Sequence, residues 1–154
     1  MNSEPGRYFE DYPVGQVFGG GALPVSEAEI VGFARRYDPQ PMHVDKDAAV
    51  AGQFGGLIAS GWHTGALMMQ LLVAHFVPRS GNLASPGLDE LRWLRPVRPG
   101  DTLSLRATVL SARRSRSKPG QGVVTSLVEL LNQKGEAVMT LKPVSLMRCR
   151  EPAR

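Results

Sequence analysis

Between Gly61 and Val77 the chain reads GWHTGALMMQLLVAHFV, and this segment limits the fold more than any other. Ala66, Leu67, Met68, Met69, Leu71, Leu72, Val73, Ala74 and Phe76 do not keep to one stripe but occupy nearly the whole circumference of a helix. A helix that is apolar all round has to be covered all round, so the rest of the chain must wrap it. Ser60 is the N-cap candidate at its start, and Pro78 follows its end. Gln70 and His75 interrupt the apolar run, which falls short of the ~20 residues a bilayer span requires. It reads as a core helix, and no membrane association is expected.

The second half of the chain supplies the wrapping. LDELRWLRPV, TLSLRATVL, VVTSLVELLNQ and AVMTLKPVSLMR are four strand-like runs. In the second, Leu103, Leu105, Ala107 and Val109 alternate with Thr102, Ser104, Arg106 and Thr108, the period of a half-buried strand. Pro99-Gly100-Asp101, Ser117-Lys118-Pro119-Gly120 and Asn132-Gln133-Lys134-Gly135 mark turns between them, and such short connections favour antiparallel pairing. The first half is turn-rich and helical. Ser26 and Glu29 form a capping box ahead of a helix from about 27 to 37, which Pro39 and Pro41 end, leaving extended or turn geometry. DKDAAVAG predicts a second short helix stopped at Gly52, and residues 16–22 a weak strand because of Gly19, Gly20 and Gly21. With an extended arm over 1–15 and a tail over 149–154, the expected fold is a single α+β domain spanning 1–154. Its long buried central helix is wrapped by a curved antiparallel β-sheet.

A chain of 154 residues buries enough surface to fold without disulfides or metal, and its single cysteine, Cys149, permits no intrachain bridge. The N-terminus lacks a basic and apolar leader pattern, so a cytoplasmic location is expected. The net charge is +4, but the arginines are scattered. The densest run, Arg113 to Lys118, has no interleaved aromatic residues for base stacking. Nucleic acid is therefore not an expected partner, and the positive field suits a small anionic ligand.

The chemistry centres on YDPQPMH. Asp38 and His43 lie five residues apart across two prolines, and two fixed φ angles stiffen the loop between them. A carboxylate beside an imidazole can hold a water, take its proton and return one to carbon. The same spacing also arises from a helix-ending turn with an exposed histidine nearby. A second feature is GQFGGLIASGW, four glycines and a serine just before the core helix. Glycines let a ligand approach the backbone, and the free N–H of Gly61 or Trp62 at the helix start could polarise a thioester carbonyl. A tight turn into the helix would use the same glycines.

YDPQPMHVD, FGGLIASG, RPVRPGD and SRSKPGQGVV, in this order from about Tyr12 to Arg148, resemble the MaoC-like dehydratases, which include (R)-specific enoyl-CoA hydratases. The resemblance implies a hotdog fold and reversible addition of water to a trans-2-enoyl-CoA, giving a (3R)-3-hydroxyacyl-CoA. It implies Asp38 and His43 as the acid–base pair, with the Gly61 N–H on the thioester oxygen. No cofactor is expected beyond the coenzyme A thioester substrate itself, and a homodimer or higher homo-oligomer is implied. The family motif has asparagine where Gln40 stands here. Some members also carry a helix serine that bonds the catalytic aspartate, and alignment places Met69 at that position.

Gln40, Ser60, Trp62 and His63 are the expected substrate-side neighbours of the pair, with Trp62 and Trp93 as candidate acyl-pocket walls. Arg95, Arg98, Arg114, Arg116 and Lys118 are candidates for the coenzyme phosphates, and His75 is assigned no function. His43, Asp45 and Asp47 lack a second histidine at ligand spacing, so no metal is expected. Two other readings stay open: a hotdog acyl-CoA thioesterase, and a non-catalytic acyl-binding subunit suggested by Gln40 and Met69.

Overall fold

The computed structural model describes residues 6–151. Five antiparallel strands form one sheet: β1 (Val17–Pro24), β2 (Asn82–Trp93), β3 (Thr102–Arg114), β4 (Gln121–Leu131) and β5 (Ala137–Arg148). Four helices precede β2: α1 (Glu27–Tyr37), α2 (Pro41–Val44), α3 (Lys46–Ala51) and α4 (Gly61–His75). No helix is long and apolar enough to cross a membrane among the described residues.

The strand order is β1-β3-β4-β5-β2. β3, β4 and β5 form the meander that their short turns predict. The Pro99–Asp101 turn does not make a hairpin, because β2 lies at the far edge against β5 while β3 pairs with β1. The glycine triplet in β1 has a structural use. Gly20 and Gly21 take positive φ at a register shift that bends the strand, and Gly21 lies where a side chain would strike Leu71 of α4.

In β4 every second residue is buried, and Val124, Val128 and Leu130 are fully enclosed. Together with Leu103, Leu105, Ala107 and Val109 of β3 they face Leu67, Met68, Leu71 and Leu72 of α4. Each such aliphatic side chain contributes about 1.5–3 kcal/mol by leaving water. One sheet, however, curves around only part of the helix. Trp62, Met69 and Val73 of α4 are 64%, 46% and 56% exposed, an uncovered apolar stripe at helical spacing. The expectation of complete cover fails within one chain for that geometric reason.

The N-terminal segment is less open than a free arm. Phe9–Asp11 forms a 3-10 turn, Tyr12 is fully buried, and its hydroxyl donates to the Phe76 carbonyl at the end of α4. Residues 1–5 and 152–154 of the expected arm and tail lie outside the described residues.

Candidate active site

The capping box of α1 is formed, with Ser26 and Glu29 bonded reciprocally, and the helix ends at Asp38 as its C-cap. The chain then departs from the extended path that two prolines suggest. Gln40 is extended, but Pro41 opens the one-turn helix α2, where its missing N–H costs nothing. That turn swings His43 back toward Asp38. Asp45 is drawn into a structural role, its carboxylate capping α3 through the N–H groups of Asp47 and Ala48.

His43 is 4% exposed, and its Nε2 stands 3.4 Å from Asp38 Oδ2. The other ring nitrogen, Nδ1, is 2.7 Å from the Ile58 carbonyl oxygen. A carbonyl only accepts, so Nδ1 carries the proton, and in the neutral ring Nε2 presents a lone pair to the aspartate side. Two acceptors then face the same point, which suits a water donating one proton to each.

Asp38 is held at both oxygens. Gln40 Nε2 donates to Oδ1 at 2.7 Å, and Ser60 Oγ donates to Oδ2 at 2.7 Å. These bonds, that of Gln40 foremost and then that of Ser60, hold the carboxyl below its ordinary pKa, against a smaller opposing effect of burial. Asp38 is therefore a carboxylate throughout the neutral range.

Ser60 is fully buried and also accepts from the Trp62 N–H at 3.3 Å as the N-cap of α4. It is thus a holder of Asp38 rather than a surface for substrate. It gives Asp38 a serine hydrogen bond that Met69, whose side chain lies on the uncovered face of α4, does not supply. Sequence reading identified Ser60 as a cap but had no sign of its bond to Asp38, 22 positions away.

At the start of α4 the two candidate N–H groups differ. That of Trp62 is occupied by Ser60, whereas that of Gly61 has no acceptor among the described residues. Gly61 has a packing reason to be glycine: a Cβ there would lie 2.5 Å from Cε2 of Trp93. The Trp93 indole N–H donates to the Gly61 carbonyl at 2.9 Å, and its ring meets that of Trp62 edge-on at 5.3 Å.

Asp38, Gln40, His43, Gly61, Trp62 and Trp93 line one cleft of about 450 Å³, completed by apolar side chains, Thr64 and Arg95. His63 is not among them. It is buried under α1, stacked on Phe33 with ring centroids 4.9 Å apart, so it is a packing residue and not a contact for the cleft. Burial depresses its pKa, opposed in part by Glu29.

The basic residues separate too. Arg95 reaches the cleft, 4.0 Å from Glu136. Arg98 donates to the Phe54 carbonyl, and Arg114 pairs with Glu10. Arg116 lines a different cleft at the β3–β4 turn. No group of three His, Cys, Asp or Glu is placed to hold a metal ion among the described residues.

Residues 11–130 match the family model described as MaoC like domain. The chain is 34% identical over 125 residues to the uncharacterized protein YdeM of Bacillus subtilis, covering 81% of this chain and 87% of that one. It is 32% identical to the mesaconyl-CoA hydratase of Cereibacter sphaeroides over 99% of this chain, but spans only 44% of that protein. The crystal structure of a MaoC-like dehydratase from Rhodospirillum rubrum superposes with a TM-score of 0.88 at 40% identity, covering 95% and 99% of the two chains. A double-hotdog protein of Mycobacterium tuberculosis superposes at 0.78 over 97% of this chain and 46% of its own length, with 22% identity. The fold is a hotdog.

Proposed function

The chain belongs to the MaoC-like domain family, and from that premise we propose that it is a hydro-lyase acting on a trans-2-enoyl-CoA. The observation that carries the reading is the convergence of Asp38 Oδ2 and His43 Nε2 on one point of a cleft that the unpaired Gly61 N–H also borders. The thioester oxygen sits at the Gly61 N–H, at the positive end of α4. A water held between Asp38 and His43 attacks C3 as Nε2 takes one of its protons. The C2–C3 π electrons move toward the thioester, forming an enolate whose oxygen Gly61 stabilises. The imidazolium, steadied by the Asp38 carboxylate, then returns the proton to C2. The product is a 3-hydroxyacyl-CoA, of (3R) configuration by resemblance to the family, and each step is reversible.

Support for chemistry over passive binding comes from the bonds to Asp38. The replacement of asparagine by Gln40 leaves a donor on Oδ1, and Ser60 supplies the second. Coenzyme A as carrier is part of the proposal, with Arg95 as the cleft's cation for an anionic group of the substrate. So is a homodimer: a second copy would cover the Trp62–Met69–Val73 stripe and the exposed Leu88 and Leu94.

The test is hydration of crotonyl-CoA by the purified protein, followed as loss of the conjugated thioester absorbance. Asp38→Asn and His43→Gln should each lose about 10²–10⁴-fold in kcat, the range for a positioned acid or base. Thiol release without that absorbance change would indicate a thioesterase instead.

A further inference from the structure

Resting on the hydratase reading, we propose that Phe54 and Met42 are the acyl-length stop of this site, standing between the reaction cleft and a second cleft beneath α2 and α3. The two clefts share three residues in their linings, Gln40, Met42 and Phe54. The second measures about 290 Å³ against about 450 Å³ for the first. Gln40 is engaged with Asp38, which leaves the two half-buried apolar side chains as the partition.

Beyond it the walls are formed by Pro41, Ala48, Ala49, Gly52 and Gln53, and the two alanines and the glycine leave that side of the space unfilled. The backbone of the partition is fastened on both sides. Arg98 Nη2 donates to the Phe54 carbonyl at 2.6 Å, and the Ile58 N–H donates to the Met42 carbonyl at 3.2 Å. What separates the clefts is therefore side-chain volume on a fixed frame.

With the thioester carbonyl at Gly61, a substrate has two directions to fill. On the Arg95 side the lining carries a cation, which suits the anionic coenzyme. The apolar acyl tail goes the other way, toward Met42 and Phe54, and stops there. Removing either side chain joins the clefts and admits a longer tail, and each newly buried methylene is worth roughly fourfold.

The experiment compares kcat/KM for C4 and C8 trans-2-enoyl-CoAs in the wild type, Phe54→Ala, Met42→Ala and the double variant Phe54→Ala with Ala48→Trp, which refills the second cleft. Both Arg98 and Ile58 bond main-chain atoms, so the frame persists in the alanine variants. The C8/C4 ratio should rise at least tenfold in each alanine variant and return to the wild-type value when Ala48→Trp is added. An unchanged ratio in both alanine variants, or a gain that survives Ala48→Trp, would overturn the proposal while leaving the hydratase reading intact. If the wild type turns over no enoyl-CoA, that reading fails by itself. The stop is then read from calorimetric affinities of butanoyl-CoA and octanoyl-CoA in the same variants, with the same ratios expected. Absence of binding by any of them overturns both.

Discussion

Ser60 Oγ donates to Asp38 Oδ2 at 2.7 Å, joining the N-cap of the core helix to the C-cap of α1. The hydroxyl therefore has two duties, since it also accepts from the first turn of α4. Ser60→Ala should lower stability by about 1 kcal/mol through the lost cap. It should also lower kcat by a separate route, because Asp38 loses a donor. Circular-dichroism melting and turnover on crotonyl-CoA measure the two effects independently. Unchanged turnover in a folded variant would show that Asp38 is held well enough without it.

Gln40 is the larger cause of the low Asp38 pKa, ahead of Ser60. Both donors favour the charged carboxylate, so removing either raises the pKa. The acid limb of the pH–rate profile, where Asp38 takes a proton, must then move to higher pH. Gln40→Leu should move it further than Ser60→Ala. The reverse order in measured kcat/KM profiles would contradict the hydrogen-bond account.

Gly61→Ala places a methyl group against the Trp93 ring, which has to shift and give up its bond to the Gly61 carbonyl. We expect a fall in kcat/KM of tenfold or more. In a Trp93→Ala background the same substitution should cost much less, because the obstacle is gone. A double-mutant cycle on activity measures this coupling, and additivity would refute the contact.

His63 is buried with its pKa lowered, so the folded protein resists its protonation while the unfolded chain does not. The unfolded state binds more protons below its ordinary value near 6.5, and stability falls as pH drops through that region. His63→Phe keeps the stack on Phe33 and removes the titration. Its melting temperature should vary less between pH 7 and pH 5 than that of the wild type.

Local signals in the sequence foretold local structure well. The capping box at Ser26 and Glu29, the stop at Gly52 and the alternation of β3 all correspond to observed elements. What the sequence left hidden were relationships across distance. Nothing near β2 says that it crosses to the far edge of the sheet, since its partner β5 lies some 50 positions on. An apolar count around α4 likewise cannot distinguish cover by its own sheet from cover by another molecule. At the site, the stiff loop suggested that Asp38 and His43 act together. The burial of His63 under Phe33 and the bond from Ser60 required the packed helices to be seen.

Three consecutive residues tie the site together. The Ile58 carbonyl orients His43, the Ala59 N–H bonds the Val97 carbonyl, and Ser60 grips Asp38. The segment works like the gauge bar between two rails, setting the separation of both members of the pair at once. One residue inserted between Ile58 and Ser60 would put both out of alignment together. Changes at the side chains of Phe54 or Ala48 leave that spacing alone. Substitution at those two side chains can therefore reshape the cleft while the Asp38–His43 spacing stays the same.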